Sequence, residues 1–203
     1  MSTVNITAEQ VKALREATGA GMMDCKRALE EAGGDMERAT EILRERGQAS
    51  ARKRAGRTAT QGRIEAYVHF NNTVGVLVEV NCETDFVANT EDFGRLARDV
   101  ALHIASAAPS WVSRDEVPEE TLAAERRIAE AQAREQGKPD AVIPRIVQGK
   151  LEGFYRDHVL LDQPFARDPA KTVAGLLDEV SAKVGEKVAV RRFVRYKLGE
   201  ELG

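Results

Sequence analysis

The stretch that most limits how this chain can fold is an apolar run, Val74 to Val80, that leads into Asn81-Cys82-Glu83-Thr84-Asp85-Phe86-Val87-Ala88-Asn89. A short valine-rich run of this kind suits a strand. Beyond Thr90, residues Phe93, Leu96, Ala97, Val100, Ala101 and Ile104 recur at helical spacing as far as Pro109. The polar segment between them is therefore a strand-to-helix junction. A loop gripped at both ends by regular structure can present side chains outward. Two readings of this junction stay open. In one it merely starts a helix, with Thr84 or Asn89 capping and Phe86 tucked into the core. In the other the adjacent acid and aromatic, Asp85 and Phe86, face a partner.

The flanking sequence gives the junction its context. Upstream, Ile64, Ala66, Val68 and Phe70 alternate with Glu65, Tyr67 and His69, the period of a half-buried strand. Asn71-Asn72 supplies turn residues that tolerate positive φ, so Val74 to Val80 is the return strand of a hairpin. Downstream, Glu119 to Gln136 is a highly charged helical stretch closed by Gly137. Ala141 to Tyr155 is helical if Pro144 falls in the first turn after Asp140. Val159 to Phe165 is a short extended piece. Val173, Leu176, Leu177, Val180 and Val184 mark a helix after Asp168-Pro169, and Val188 to Leu198 is a last strand. In that strand Val190, Arg192, Val194 and Tyr196 share one face, and Arg191, Phe193 and Arg195 share the other.

Residues 1–47 carry three short helical patterns. Thr7 and Gln10 form a capping box for the first, with Ile6 and Val11 at the staple positions. Thr18-Gly19-Ala20-Gly21 stops it, and Met22 to Glu31 forms the second, with Ala28 and Leu29 inward. Gly33-Gly34-Asp35 turns into the third, lined by Met36, Ala39, Ile42 and Leu43 and ending at Gly47. Residues 48–62 hold Arg52, Lys53, Arg54 and Arg57 without an acid and are expected to link this module to an α+β core over residues 63–203. An alternating βαβ series and an internal repeat are both missing from the sequence.

Composition narrows the function. The chain is 42% hydrophobic and 31% charged with a net charge of -3, an ordinary balance that argues against a surface wholly devoted to gripping nucleic acid. No apolar run nears the roughly 20 residues of a membrane span, and the N-terminus lacks a basic-then-apolar signal pattern. Two cysteines make no disulfide framework, so a reducing, cytoplasmic setting is expected.

Enzyme signals are weak. The sequence has three histidines and no phosphate-binding glycine fingerprint, and Cys25 and Cys82 lie far apart. No zinc-type ligand spacing occurs, so neither metal nor cofactor is expected. A nucleophilic Cys82–His103 pair competes with a buried packing role for Cys82 at the end of an apolar strand. His103, on the edge of its helix stripe, is either a core-edge histidine bonded to backbone or a partner-facing one. The basic segment invites RNA binding, but no aromatics are interleaved to stack bases. Met22-Met23 suits a small core or an adaptable partner surface equally. The residues as a whole favour a binding protein over an enzyme.

Two longer signatures sharpen this. Leu14-Arg15-Glu16-Ala17-Thr18-Gly19-Ala20-Gly21-Met22-Met23-Asp24-Cys25-Lys26 and Glu79-Val80-Asn81-Cys82-Glu83-Thr84-Asp85-Phe86-Val87-Ala88 resemble the two signatures of the elongation factor Ts family, in the same order. His103-Ile104-Ala105, Gly137-Lys138-Pro139, Gln163-Pro164-Phe165 and Lys171-Thr172-Val173 extend the resemblance over essentially the whole chain. It implies a ubiquitin-associated-like N-terminal module and a core built on a three-stranded antiparallel sheet. The implied activity is guanine-nucleotide exchange on elongation factor Tu, without covalent chemistry. The resemblance places Thr84, Asp85, Phe86 and Val87 at the magnesium region of Tu. It gives Arg15, Met22, Met23 and His103 as further contacts. Only one copy of the core pattern is present, which implies a homodimer. Asn89 stands where relatives often carry a basic residue, and Pro144 interrupts a segment they usually keep helical. An RNA- or ribosome-binding adaptor using Arg52 to Arg57 is the rival reading.

Overall fold

A computed structural model describes residues 6–200. In chain order the elements are α1 (Ala8–Thr18), α2 (Met22–Glu31), α3 (Met36–Arg54), β1 (Gln61–Val68), β2 (Val74–Cys82), α4 (Asp85–Ala88), α5 (Glu91–Ala107), α6 (Glu119–Glu135), α7 (Ile143–His158), β3 (Pro164–Phe165), β4 (Asp168–Thr172), α8 (Val173–Val184) and β5 (Ala189–Lys197). The expected α+β class, with three N-terminal helices and a three-stranded sheet, is what is observed. The chain forms two compact units. The first takes in residues up to 63, 81–96 and 175–189; the second takes in 64–80, 97–174 and the residues from 190 on.

In the first unit, α1 starts at the expected capping box: Gln10 N–H donates to Thr7 Oγ1 (3.2 Å) and Thr7 N–H to Gln10 Oε1 (3.0 Å). It ends at Gly19, whose φ of 69° is left-handed and whose N–H returns to Arg15 O at 2.7 Å. Asp35 accepts the Arg38 N–H (3.0 Å) and opens α3. Val11, Leu14, Cys25, Ala28, Leu29, Ala39 and Ile42 form the small core between the helices. Each fully buried leucine there contributes about 1.5–3 kcal/mol, which suits a module of this size.

Helix α3 does not stop at Gly47. It runs on to Arg54, so the first part of the expected linker is helical. Residues 48–54 contain alanine, glutamine, arginine and lysine, which favour helix. Gly47 has a different role: a Cβ there would lie 3.3 Å from the Ala182 Cβ of α8. Seven residues further along the same helix, Arg54 Nη1 donates to Ser181 O (3.3 Å). The glycine lets α3 and α8 approach rather than ending α3.

The larger sheet has the order β1-β2-β5. The hairpin turns through Asn72 at φ 56°, with Asn72 N–H donating to His69 O (2.8 Å) and His69 N–H to Val74 O (2.9 Å). Leu198 N–H, just past β5, donates to Thr73 O (2.8 Å), and Arg192 Nε reaches Glu79 Oε2 (2.8 Å). The end of β5 thus lies at the start of β2, and the two strands run antiparallel.

The alternation in β1 is as expected, but its faces are reversed. A half-buried strand should turn its apolar set inward, yet Ile64 is 66% and Val68 64% exposed, while Glu65 is buried. The inner face carries satisfied charges. Glu65 pairs with Arg98 of α5 (3.4 Å), and Arg195 Nε donates to Ala105 O (3.4 Å) of the same helix. A buried acid with a cationic partner is tolerable. The opposite face exposes Ile64, Val68, Leu77, Val194 and Tyr196 around the Glu79–Arg192 ion pair.

In the second unit α6 and α7 pack as a hairpin around Leu122, Ala129, Ala133, Ile143, Val147 and Leu151. Pro144 lies in the first turn of α7, where its missing N–H has no intrahelical acceptor to lose. The segment after α7 is a 3-10 turn, Leu160–Asp162, followed by β3. Residues 168–172, read only as the lead-in to α8, pair with it as β4, Pro164 opposite Thr172 and Phe165 opposite Asp168.

Candidate partner-binding site

Strand β2 ends at Cys82, and the chain turns at once into α4, a single helical turn. Thr84 is its N-cap, with extended backbone (φ -126°, ψ 155°) and Oγ1 accepting the Val87 N–H at 3.4 Å. Asn89 closes the other end, its Nδ2 donating to Asp85 O (2.9 Å). Thr90 Oγ1 donates to Val87 O (2.8 Å) and accepts the Phe93 N–H (3.3 Å), which carries the chain into α5. Of the four α4 residues, Ala88 is buried and Val87 half-buried, while Asp85 is exposed and Phe86 is 82% exposed. Of the two caps in the helix-start reading, Thr84 starts α4, whereas Asn89 ends it and leaves the start of α5 to Thr90. The core phenylalanine of that reading is not found: Phe86 stands out in solvent beside an acid.

The segment before the tip is held by side chains the sequence did not single out. Glu186, just after α8, accepts the N–H groups of Glu83 and Thr84 on Oε2, both at 3.0 Å, and the Thr84 hydroxyl on Oε1 at 2.6 Å. Glu83 reaches back: its Oε1 accepts the Lys187 N–H (2.6 Å) and Arg57 Nη1 (3.2 Å). The Lys187 N–H and the Arg57 guanidinium hold the Glu83 carboxyl below its usual range. Lys187 Nζ donates to Ala55 O (2.7 Å) and Arg57 O (2.9 Å), just past α3. Lys183 Nζ pairs with Asp92 (2.6 Å) in the first turn of α5.

Cys82 is buried, and its Sγ donates to Thr84 O at 3.1 Å. Burial, with the nearby Glu186 charge, pushes its thiol up to about 11. A thiol buried and shifted in this way is a poor nucleophile, which weighs against the hydrolase reading. His103 offers no free base either. It is 1% exposed; Ala166 N–H donates to Nδ1 (3.2 Å), so the ring proton sits on Nε2 and goes to Gln163 Oε1 (2.9 Å). Desolvation lowers its pKa. The backbone-bonded alternative describes His103 as found, and its burial leaves little of the ring for direct contact with a partner.

The N-terminal candidates lie on the surface. Arg15 is exposed in the last turn of α1, and Met22 and Met23, the first residues of α2, are 48% and 64% exposed. The methionine pair is therefore not core packing. In the basic segment, Arg54 and Arg57 are engaged with Ser181 O and Glu83, so these two cations serve the fold. Among the described residues no acid, histidine or cysteine cluster suits a metal ion, and no helix is long and apolar enough to cross a membrane.

Fold and site together define an α+β protein that carries an exposed acid–aromatic tip at a strand-to-helix junction. Comparison with known proteins makes this specific. Residues 4–200 match the family described as Elongation factor TS. The chain is 60% identical over 190 residues to elongation factor Ts of Rubrobacter xylanophilus, covering 94% of this chain and 97% of that one. It is 57% identical over 197 residues to elongation factor Ts of Carboxydothermus hydrogenoformans, covering 97% and 91%. Identity to the Moorella thermoacetica protein of the same name is 56% over 195 residues, 96% of each chain.

The chain belongs to the elongation factor Ts family. Its role is nucleotide exchange in translation elongation, and membership of the family implies binding to elongation factor Tu.

Proposed function

We propose that the chain releases GDP from elongation factor Tu by pressing the Asp85-Phe86 tip into the magnesium and phosphate region of its partner, so that GTP can rebind. The observation that carries this is Phe86, 82% exposed on a helical turn capped at both ends. If exchange factor and GDP weaken each other's binding, the coupling is reciprocal. Each tenfold requires about 1.4 kcal/mol. Burying one phenylalanine supplies about 1.5–3 kcal/mol, the scale of a hot spot. Asp85 adds a second route by competing for the water shell and ligands of the magnesium ion. Thr84 and Val87 shape the turn. Arg15, Met22 and Met23 make a second, separate contact through the module of residues 1–47, with residues 48–62 joining it to the core of 63–203. His103 contributes by bracing the Gln163–Ala166 turn.

Stopped-flow release of labelled GDP from Tu tests the wedge. Phe86→Ala should slow catalysed release by about 10- to 100-fold, the kinetic equivalent of the buried ring, while the melting temperature stays close to that of the parent. An unchanged rate rejects the wedge.

The exposed apolar side chains on that face of the sheet support a homodimer in which a second copy covers it. A cytoplasmic setting follows from the role in elongation. No specific nucleic acid is expected as a ligand, since Arg54 and Arg57 are used internally.

A further inference from the structure

Helix α4 is too short to hold itself. A single turn fixes several dihedral angles in return for one or two hydrogen bonds, so it forms only where its surroundings impose it. Its one buried residue is Ala88, a small anchor. The cap bond from Val87 N–H to Thr84 Oγ1 is long, at 3.4 Å. What defines the turn lies outside it, on the residues that follow α8.

Glu186 is the centre of this arrangement. One carboxylate oxygen accepts two consecutive backbone N–H groups, Glu83 and Thr84; the other accepts the Thr84 hydroxyl at 2.6 Å. Because that hydroxyl donates to Glu186, its lone pairs are left to accept from Val87. The charge thus acts through Thr84 on the turn that carries Phe86, and chained bonds of this kind strengthen one another. Bonds to an ionised acceptor are also about twice as strong as neutral ones. Glu83 and Lys187 lock the same seam in the opposite sense, and the Lys187 ammonium ties it to the carbonyls of Ala55 and Arg57.

We infer that Glu186 is a positioning residue for nucleotide exchange: it sets the orientation of the Thr84–Val87 turn so that Phe86 meets its partner already in place. This rests on the wedge reading above. A tip that had to be ordered on contact would lose part of its binding energy to that ordering. Glu186 need not touch Tu. Its effect belongs in the rate of release from the bound complex, since affinity is shared with the Met22-Met23 contact.

The test uses the full chain as parent, Phe86→Ala, Glu186→Gln and the double variant, with kcat and KM for GDP release from Tu and a melting curve for each. Glutamine keeps the size of the side chain and removes the charge. Glu186→Gln should lower kcat by about 10-fold, the order expected for losing charge-assisted bonds, with KM within about twofold. In the Phe86→Ala background the same substitution should change kcat by less than about twofold, because the two act through one tip. A parental kcat in Glu186→Gln, a raised KM with kcat unchanged, or effects that multiply in the double variant would each overturn the inference. Slow Phe86→Ala beside parental Glu186→Gln would remove this inference and leave the wedge. A parental rate in Phe86→Ala would remove both. Should Glu186→Gln fail to fold, Thr84→Val interrupts the same relay: it should lower kcat in the same way, and a folded Thr84→Val with parental kcat overturns the proposal.

Discussion

Gly19 illustrates how much a single position can determine. Its φ of 69° is the left-handed cap conformation, and a Cβ there would sit 3.2 Å from the Lys183 side-chain carbons. An alanine would bear the left-handed backbone strain of roughly 1–2 kcal/mol and also push the lysine chain aside. Gly19→Ala should therefore lower unfolding free energy by about 1–2 kcal/mol, read as a reduced urea midpoint with an unchanged slope. A midpoint equal to the parent would show that the cap relaxes freely. This glycine was legible from the sequence because it follows a helix pattern and precedes a new one. The same logic predicts a stop at Gly47, yet α3 runs through it to Arg54. The difference is tertiary: Gly47 faces Ala182, some 135 residues away, and no local pattern encodes that approach. Phe86 is the opposite case. Burial statistics alone would place it inside, and only the surrounding signature marked it as exposed.

Among the elements, the pairing of α5 with the β3–β4 hairpin makes a pH prediction. His103 on α5 is buried, and desolvation holds its folded pKa below the ordinary 6.5. As pH falls through about 6.5, the unfolded chain takes up a proton before the folded one does. The stabilising difference is thus fully present above that pH and is lost progressively below it. The urea midpoint should fall between pH 7.5 and 5.5, and His103→Gln should flatten that dependence whatever it does to stability at pH 7.5. An equal slope in the variant would mean that other groups dominate. At this scale most of the architecture was readable. The capping box of α1, the hairpin, the junction into α5 and the proline-opened α7 all follow from local rules. The pair β3–β4 did not, because its strands are short and each contains a proline, Pro164 and Pro169. Nor did the Glu83, Glu186 and Lys187 contacts, which join segments about a hundred residues apart with side chains common on any surface.

For the whole molecule, the reversed faces of β1 matter most. Alternation tells which residues share a face but not which face is inward. Here the charged set turns in, because Glu65 and Arg195 find partners on α5, and the apolar set is left for another surface. With a second copy over that face, Val68→Glu would bury an acid at the interface. Sedimentation velocity should show the parent as a dimer and Val68→Glu as a monomer at micromolar concentration, and the parent's melting temperature should rise with concentration. Identical sedimentation of the two proteins would place the dimer contact elsewhere or exclude it.

The buried thiols have a practical consequence. Cys25 and Cys82 are both enclosed, and both are shifted toward the protonated form. The native chain should therefore react slowly with maleimides, read as an unchanged mass after brief exposure to the reagent. A lone cysteine introduced at an exposed helix position such as Glu120 would carry an optical probe with little competition, so arrival on the partner could be followed by fluorescence in the otherwise unaltered protein.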